Sequence, residues 1–196
     1  MQAVAGRVGL GHPRAQRPQP GGSQARFEYL AQGVDISIGD RITALDLPSV
    51  LLRTRAAVSA AGLGERFRFR PGDMFATPLE PAAYDTVLLA NVCHLFDDTG
   101  CARLFARLAP SLRPGGRLVI VDVLRKPNRF GDRDSALHAL YELGLSLRTA
   151  TGRIHPVDDY DRWARAAGLS GVQTFALGVH PPLDVIVATA PEAESG

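Results

Sequence analysis

The chain has few cysteines, few lysines and no long apolar run. Cys93 and Cys101 are the only cysteines among 196 residues. They are too few for a disulfide framework and lack the spacing of a metal site, so we interpret them as packed thiols in a reducing compartment. No apolar run approaches the roughly 20 residues of a membrane helix, and no signal-peptide pattern is present. These absences predict a cytoplasmic protein without a membrane partner.

The charge is nearly balanced. The formal net charge is +2, and Lys126 is the only lysine among 22 basic residues. Because the arginines are scattered, they indicate a solvated surface and give no reason to expect a nucleic-acid partner. A hydrophobic content of 45% over this length instead suits one globular domain with a real core.

The first 22 residues differ from the rest of the chain. They are dense in Pro, Gly, Gln and Arg and have no periodicity, which predicts an irregular or disordered arm over 1–22. Residues 23–190 form the predicted domain, beginning with a short helix over 24–32, and residues 191–196 form a tail.

From residue 41 onward, strand and helix patterns alternate. Apolar runs at 42–45, 87–90 and 118–123 predict strands that are covered on both faces, and 67–70 predicts a short alternating strand. Helices are predicted over 48–61, 99–112, 132–149 and 157–167. The helix 132–149 has Leu137, Leu140, Tyr141 and Leu145 on one face. The strands 172–177 and 183–189 are joined by a short connection, so they are predicted to be antiparallel neighbours. The fold class is therefore α/β, a doubly wound and mostly parallel sheet with a C-terminal antiparallel hairpin and one reversed edge strand.

Acidic side chains follow three predicted strands, at the edge where such sheets bind ligands. Taken singly, Asp46, Asp73 and Asp122 more often cap turns and helices. Three on one rim favour a nucleoside-shaped ligand. Asp46 is placed to accept hydrogen bonds from ribose hydroxyls, and Asp73 from the exocyclic amine of a base that lies against Met74 and Phe75.

His94 follows the strand 87–90, and the next strand of the sheet delivers Asp122. A lone histidine in such a place is more often a packed residue than a base. The rim position and the neighbouring carboxylate favour catalysis, since the carboxylate can orient one ring nitrogen while the other takes a proton. His155 lies in a predicted loop that can approach the same rim.

Several short motifs together resemble those of S-adenosylmethionine-dependent O-methyltransferases over about residues 41–190. They are most similar to the caffeic-acid-type family and its bacterial natural-product relatives, which have the Rossmann-like class I methyltransferase fold. The motifs are Asp46-Leu47-Pro48, Gly72-Asp73-Met74-Phe75, Cys93-His94-Leu95-Phe96-Asp97-Asp98, and Leu112-Arg113-Pro114-Gly115-Gly116 with the strand that ends at Asp122.

The resemblance implies S-adenosylmethionine as cofactor and a small hydroxylated aromatic or polyketide-like molecule, phenolic in character, as methyl acceptor. It makes His94 the general base, flanked by Asp122, with no metal ion required. It also implies a homodimer as a possible assembly. The implied cofactor contacts are Asp46 and Leu47 at the ribose, Asp73, Met74 and Phe75 at the adenine, and Asn91 and Gly22.

The departures from the family pattern lie mostly near the start of the chain. The family's glycine loop is matched in spacing by Gly21-Gly22-Ser23-Gln24, with Gln24 where a glycine belongs and no buried strand before it. The family's N-terminal helical dimerisation domain has no counterpart, Ala90 replaces a cofactor-contacting lysine, and Ile154 or His155 replaces a second acid. A second hypothesis is therefore an inactive or truncated methyltransferase-like domain that serves as a binding or oligomerisation module. A nicotinamide oxidoreductase is disfavoured, because no strand, Gly-x-Gly-x-x-Gly and helix occur in succession.

Overall fold

The computed structural model of the protein describes residues 2–6, 41–126, 133–177 and 183–193. Among these, strands and four α-helices alternate along most of the chain. The strands are β1 (Gln2–Gly6), β2 (Ile42–Asp46), β3 (Phe67–Pro71), β4 (Tyr84–Ala90), β5 (Leu112–Asp122), β6 (Leu124–Arg125), β7 (His155–Pro156), β8 (Gln173–Ala176) and β9 (Asp184–Thr189). The helices are α1 (Pro48–Ala60), α2 (Asp98–Leu108), α3 (Arg133–Ser146) and α4 (Val157–Ala166).

Seven of these strands form one sheet in the order β3-β2-β1-β4-β5-β9-β8, and β6 pairs with β7 separately. The pairs β2/β3 and β4/β5 are parallel, whereas β9 is antiparallel to both β5 and β8. The α/β class and the C-terminal antiparallel pair are as predicted from the sequence. The reversed C-terminal strand, β9, is however not the edge strand. It lies between β5 and β8, because the last strand of the chain inserts beside β5.

Both faces of the sheet are covered, as the continuous apolar runs predict. In β5 the even-numbered Leu118 and Ile120 pack into the larger core, which also contains Phe105 of α2 and Trp163 of α4. The odd-numbered Val119 belongs to a separate core on the other face. This alternation fixes which side chains of β5 face α2, and it places Asp122 on that face.

β1 is the largest difference from the sequence prediction. The expectation of an irregular arm over 1–22 is wrong for Gln2–Gly6, which pairs with both β2 and β4 in the middle of the sheet. Both pairings are antiparallel. Without β1, the facing edges of β2 and β4 would carry two rows of backbone N–H and C=O groups without partners. This short strand provides those partners. The predicted helix 24–32 lies outside the described residues.

Helix α2 ends earlier than the prediction of 99–112. It stops at Leu108, and a 3-10 turn over Ala109–Ser111 leads directly into β5. Pro110 lacks an N–H and cannot continue the helical hydrogen bonds. The segment Pro114-Gly115-Gly116 therefore does not stop a helix. It lies within β5, where Gly115 has a φ of +70° that a side chain would strain.

We predict that Val4→Pro destabilises the whole domain. The backbone of Val4 pairs with Ala44 on one side and Leu88 on the other. Proline removes a donor from the middle of the sheet, so the free energy of unfolding in urea should fall by on the order of 3 kcal/mol. The control is Val4→Ile, which keeps the N–H. Equal urea midpoints for the two variants would contradict the central position of β1.

Candidate active site

The ends of β4 and β5 bring His94 and Asp122 together. The two strands are parallel, with Ala90 opposite Val121, and a 3-10 turn over Cys93–Leu95 follows β4. Nδ1 of His94 lies 2.6 Å from Oδ1 of Asp122, and the backbone N–H of His94 donates to Oδ2 at 3.2 Å. Both side chains are buried. The contact expected from neighbouring strands is therefore present, over a separation of 28 residues in sequence.

Asp122 is held as an acceptor from several directions. The N–H of Val123 donates to Oδ1 at 2.8 Å, in addition to the two donors of His94. Since an ionised carboxylate only accepts, Nδ1 of His94 carries the hydrogen of that contact. Nε2 is then the ring nitrogen with a lone pair, which is the arrangement that a general base needs.

Tyr141 of α3 is the third side chain at this position. Its ring meets the His94 imidazole edge to face, with centroids 5.4 Å apart and an interplanar angle of 85°. Its hydroxyl oxygen lies 3.4 Å from Nε2 and 3.5 Å from Nδ1. Burial, and then the carboxylate of Asp122, raise the pKa of Tyr141 above its usual value. The hydroxyl therefore stays neutral at physiological pH.

The sequence pattern did not identify Tyr141 as a site residue, although it placed the side chain on the inner face of α3. The same pattern placed Leu140 on that face, which is wrong, since Leu140 is 65% exposed. Leu140 is one residue from Tyr141 and so about 100° away around the helix, whereas Leu145 is only about 40° away. Leu145 is buried and marks the face that actually points inward.

Asp46 and Asp73 lie close together at the same edge of the sheet. Asp46 is buried at the end of β2, and its Oδ1 accepts the N–H of Leu47 at 2.7 Å. The carbonyl of Asp46 accepts the N–H of Gly72 at 3.0 Å, which joins the β2 and β3 ends. Leu47 is half-exposed beside it. A carboxylate and an apolar side chain thus stand next to each other on the ligand-binding rim.

The segment after β3 is a fixed turn. Oδ1 of Asp73 accepts the N–H of Phe75 at 2.8 Å, and the Asp73 carbonyl accepts from Thr77. Arg107 of α2, which sequence reasoning did not single out, donates to the carbonyls of Met74, at 2.7 Å, and Thr77. No pattern in the sequence marks Arg107, because its acceptors are backbone atoms about 30 residues away.

An aromatic contact joins this turn to the His94 segment. Phe75 meets Phe96 edge to face, with centroids 5.0 Å apart and planes at 88°. Asp73 itself is exposed, and Met74 and Phe75 are half-buried. The predicted adenine contacts and the predicted base are therefore brought into one region of the molecule by direct packing.

Asn91 and Gly22 complete the predicted cofactor contacts. Asn91 is exposed directly after β4, with a φ of +55° that asparagine tolerates better than most residues, and its N–H donates to Val121. Gly22 and the glycine-rich segment around it lie outside the described residues.

β1 enters the sheet at the rim, where Gln2 is opposite Ala90, and leaves it at the opposite edge, where Gly6 is opposite Thr86.

The predicted packed thiols and His155 form a buried layer under the site. Cys93 and Cys101 are both free and buried. The thiol of Cys101 lies 3.3 Å from the Cys93 carbonyl and 3.8 Å from Nε2 of His155, which bonds the Phe96 carbonyl at 2.9 Å. His155 is fully buried and thus supports the loop from below. It does not face the rim.

Within the described ranges, no group of three or more His, Cys, Asp or Glu side chains is arranged to hold a metal ion. None of the helices in that part of the chain is both long and apolar enough to cross a bilayer.

Comparisons with known proteins point in one direction. A family model described as the O-methyltransferase domain matches residues 38–170. A 3-hydroxy-5-methyl-1-naphthoate 3-O-methyltransferase of Streptomyces sahachiroi is 32% identical over 133 residues, covering 67% of this chain and 37% of that protein. The chain thus spans well under half the length of this curated relative.

Two solved structures are also similar. An O-methyltransferase family 2 protein from Planctomyces limnophilus, in complex with apigenin, is 33% identical with a TM-score of 0.65, over 74% of this chain and 42% of that one. Human N-acetylserotonin methyltransferase, in complex with SAM, is 28% identical with a TM-score of 0.63, over 76% and 40%.

We predict that Asp122→Ala lowers the free energy of unfolding by about 3 kcal/mol or more, because it leaves the Nδ1–H and backbone N–H of His94 and the N–H of Val123 without their buried acceptor. Urea denaturation measures the change. Glu80→Ala is the control, since Glu80 is exposed and its loss should change stability by less than about 0.5 kcal/mol. If the two variants unfold at the same urea concentration, the buried pair is not formed in solution.

Proposed function

Since the chain belongs to the O-methyltransferase domain family, we propose that it binds S-adenosylmethionine and transfers a methyl group from it to a hydroxyl of a small aromatic molecule, with His94 as general base. The observation that carries this proposal is the buried contact between Nδ1 of His94 and Oδ1 of Asp122 at the ligand-binding edge of the sheet. It leaves Nε2 as the proton acceptor at that edge.

His94 and Asp122 divide the proton chemistry between them. The sulfonium of the cofactor supplies an activated methyl group together with a good leaving group. Nε2 of His94 takes the acceptor's hydroxyl proton as the oxygen–carbon bond forms and the sulfur–carbon bond breaks. Asp122 then balances the charge of the imidazolium through Nδ1–H. The remaining task of the protein is to align the acceptor oxygen with the methyl carbon.

The rim residues fit the adenosine half of the cofactor. The Asp46 carboxylate lies at the end of β2, with Leu47 beside it. This is the position from which an acidic residue reaches ribose hydroxyls. Asp73 is exposed, and its turn is held by Arg107, so its carboxylate has a fixed position from which to accept a hydrogen bond from the exocyclic amine of a base, with the half-buried Met74 and Phe75 beside it. Asn91 lies between these residues and His94. Gly22 is proposed as part of the loop at the methionine half.

The acceptor class is inferred from the relatives. The Streptomyces sahachiroi protein is named for methylating a hydroxynaphthoate, and the Planctomyces limnophilus structure contains apigenin. Both molecules are hydroxylated aromatics. We therefore propose a phenolic hydroxyl as the acceptor group, which suits a base of histidine strength only if the forming phenolate is stabilised as it develops.

The alternative, an inactive methyltransferase-like module, is not favoured by the comparisons, because the curated relatives are named as enzymes. The direction of β1 nevertheless decides which experiment comes first. β1 runs from the rim at Gln2 to the opposite edge of the sheet at Gly6, antiparallel to its neighbours β2 and β4. Cofactor binding should therefore be measured before turnover.

We predict that the chain binds S-adenosylhomocysteine in calorimetric titration and that Asp46→Ala weakens this binding about tenfold or more, as expected when charge-assisted hydrogen bonds worth about 1.5–3 kcal/mol are lost. Glu80→Ala is again the control. No heat at high protein concentration would sink the enzyme proposal in favour of the inactive module.

His94→Ala should keep the affinity for S-adenosylhomocysteine and lower turnover by about 100- to 10,000-fold, the usual contribution of a general base. Turnover is followed as label transfer from methyl-labelled cofactor to a panel of hydroxylated naphthoates and benzoates. His138→Ala, on α3, is the matched histidine control. Equal turnover in the His94 and His138 variants would remove His94 from its role.

A further inference from the structure

The position of the Tyr141 hydroxyl relative to the two nitrogens of His94 is informative. It is nearly equidistant from them, at 3.4 Å from Nε2 and 3.5 Å from Nδ1. The lone pair of Nε2 points away from Nδ1, so an oxygen bonded in line with it would lie much farther from Nδ1 than from Nε2. The tyrosine oxygen therefore lies over the face of the imidazole and not along the in-plane direction of the Nε2 lone pair.

The backbone of His94 is already fixed without Tyr141. Its N–H donates to Asp122, and its carbonyl is approached so closely by Gly152 that a Cβ there would lie 2.7 Å from the oxygen. The side-chain torsions remain to be set. The contact with Asp122 holds the ring at its edge, through Nδ1, and supports neither of its faces. A second contact, on the ring face, resists tilting of the ring plane.

Tyr141 is itself firmly placed. It packs against the cluster formed by Val123, Leu145 and Ile154. These side chains come from the end of β5, from α3 and from the segment before β7, so the tyrosine ring is held by three parts of the chain. A ring that is fixed in this way can transfer its own position to the imidazole.

We propose that Tyr141 is a positioning residue for His94, holding the imidazole edge to face so that Nε2 points at the acceptor hydroxyl. The proposal rests on the proposed role of His94 as general base. It assigns the positioning to the aromatic ring of Tyr141, which meets the imidazole edge to face.

The first test needs no methyl-acceptor substrate. Long-range proton–nitrogen NMR spectra of the uniformly ¹⁵N-labelled chain report the tautomer of each imidazole, and His94→Ala identifies the His94 signals. The wild type should show one Nδ1–H tautomer. Tyr141→Leu should broaden and shift the His94 ring signals while the Nδ1–H tautomer is kept, because Asp122 still holds Nδ1, and Tyr141→Phe should restore the wild-type pattern. Tyr84→Leu, which changes a half-buried tyrosine at the start of β4, should leave them unchanged.

The second test is kinetic, with whichever phenol of the panel is methylated. Tyr141→Leu should lower kcat by about 10- to 100-fold, the scale of a misaligned reacting group, with unchanged affinity for S-adenosylhomocysteine. Tyr141→Phe should keep most of kcat. If Tyr141→Leu fails to fold, as judged by circular dichroism, Tyr141→Met replaces it in both tests.

The outcomes separate this proposal from the proposed function. A wild-type His94 signal and wild-type kcat in Tyr141→Leu overturn the positioning role while the enzyme stands. Broadened and shifted His94 ring signals in Tyr141→Leu, with no turnover by any form, support the positioning role and overturn the enzyme. Failure of Tyr141→Phe to restore the His94 signal shows that the hydroxyl is required, which overturns the assignment to the ring.

Discussion

The contact on which the rest of the site depends is the buried carboxylate of Asp122 across the ends of β4 and β5. It accepts the Nδ1–H and backbone N–H of His94 and the N–H of Val123, so one side chain fixes a ring, a turn and the exit of a strand. This holds only in the observed register, with Ala90 opposite Val121. A slip by one residue would turn the carboxylate to the other face of the sheet.

Two contacts connect the turn after β3 with the rest of the site, one from α2 and one from the segment that follows His94. Arg107 fixes the turn after β3 through backbone carbonyls, and Phe75 packs on Phe96, two residues beyond His94. The surface proposed for the adenine and the proposed base are thus connected by side chains as well as by the sheet. The short 3-10 turn after β4 is supported from below by His155 and from the side by Gly152.

Much of this arrangement could be predicted from the sequence, because β2, β4 and β5 are continuous apolar runs and residues at adjacent strand ends meet. The pairing of His94 with Asp122 follows from that rule. Tyr141, Arg107 and β1 could not be predicted in the same way. The position of Tyr141 depends on the rotation of α3 about its axis. Arg107 bonds to backbone atoms, which leave no pattern in the sequence. The segment Gln2–Gly6 is short and consists mostly of small residues, so its sequence does not indicate a buried strand.

The antiparallel β1 also gives the sheet a particular construction. Among the described strands, β2 and β3 on one side are paired to β4, β5, β9 and β8 on the other solely through Gln2–Gly6. The carboxylates of Asp46 and Asp73 belong to the first block, and His94 and Asp122 to the second. The gap between the block proposed to bind the nucleoside and the block proposed to accept the proton is therefore one strand wide, and Gln2–Gly6 acts as its spacer. A shift of β1 within the sheet would change the distance between the two blocks, and so the length of a ligand that can contact both.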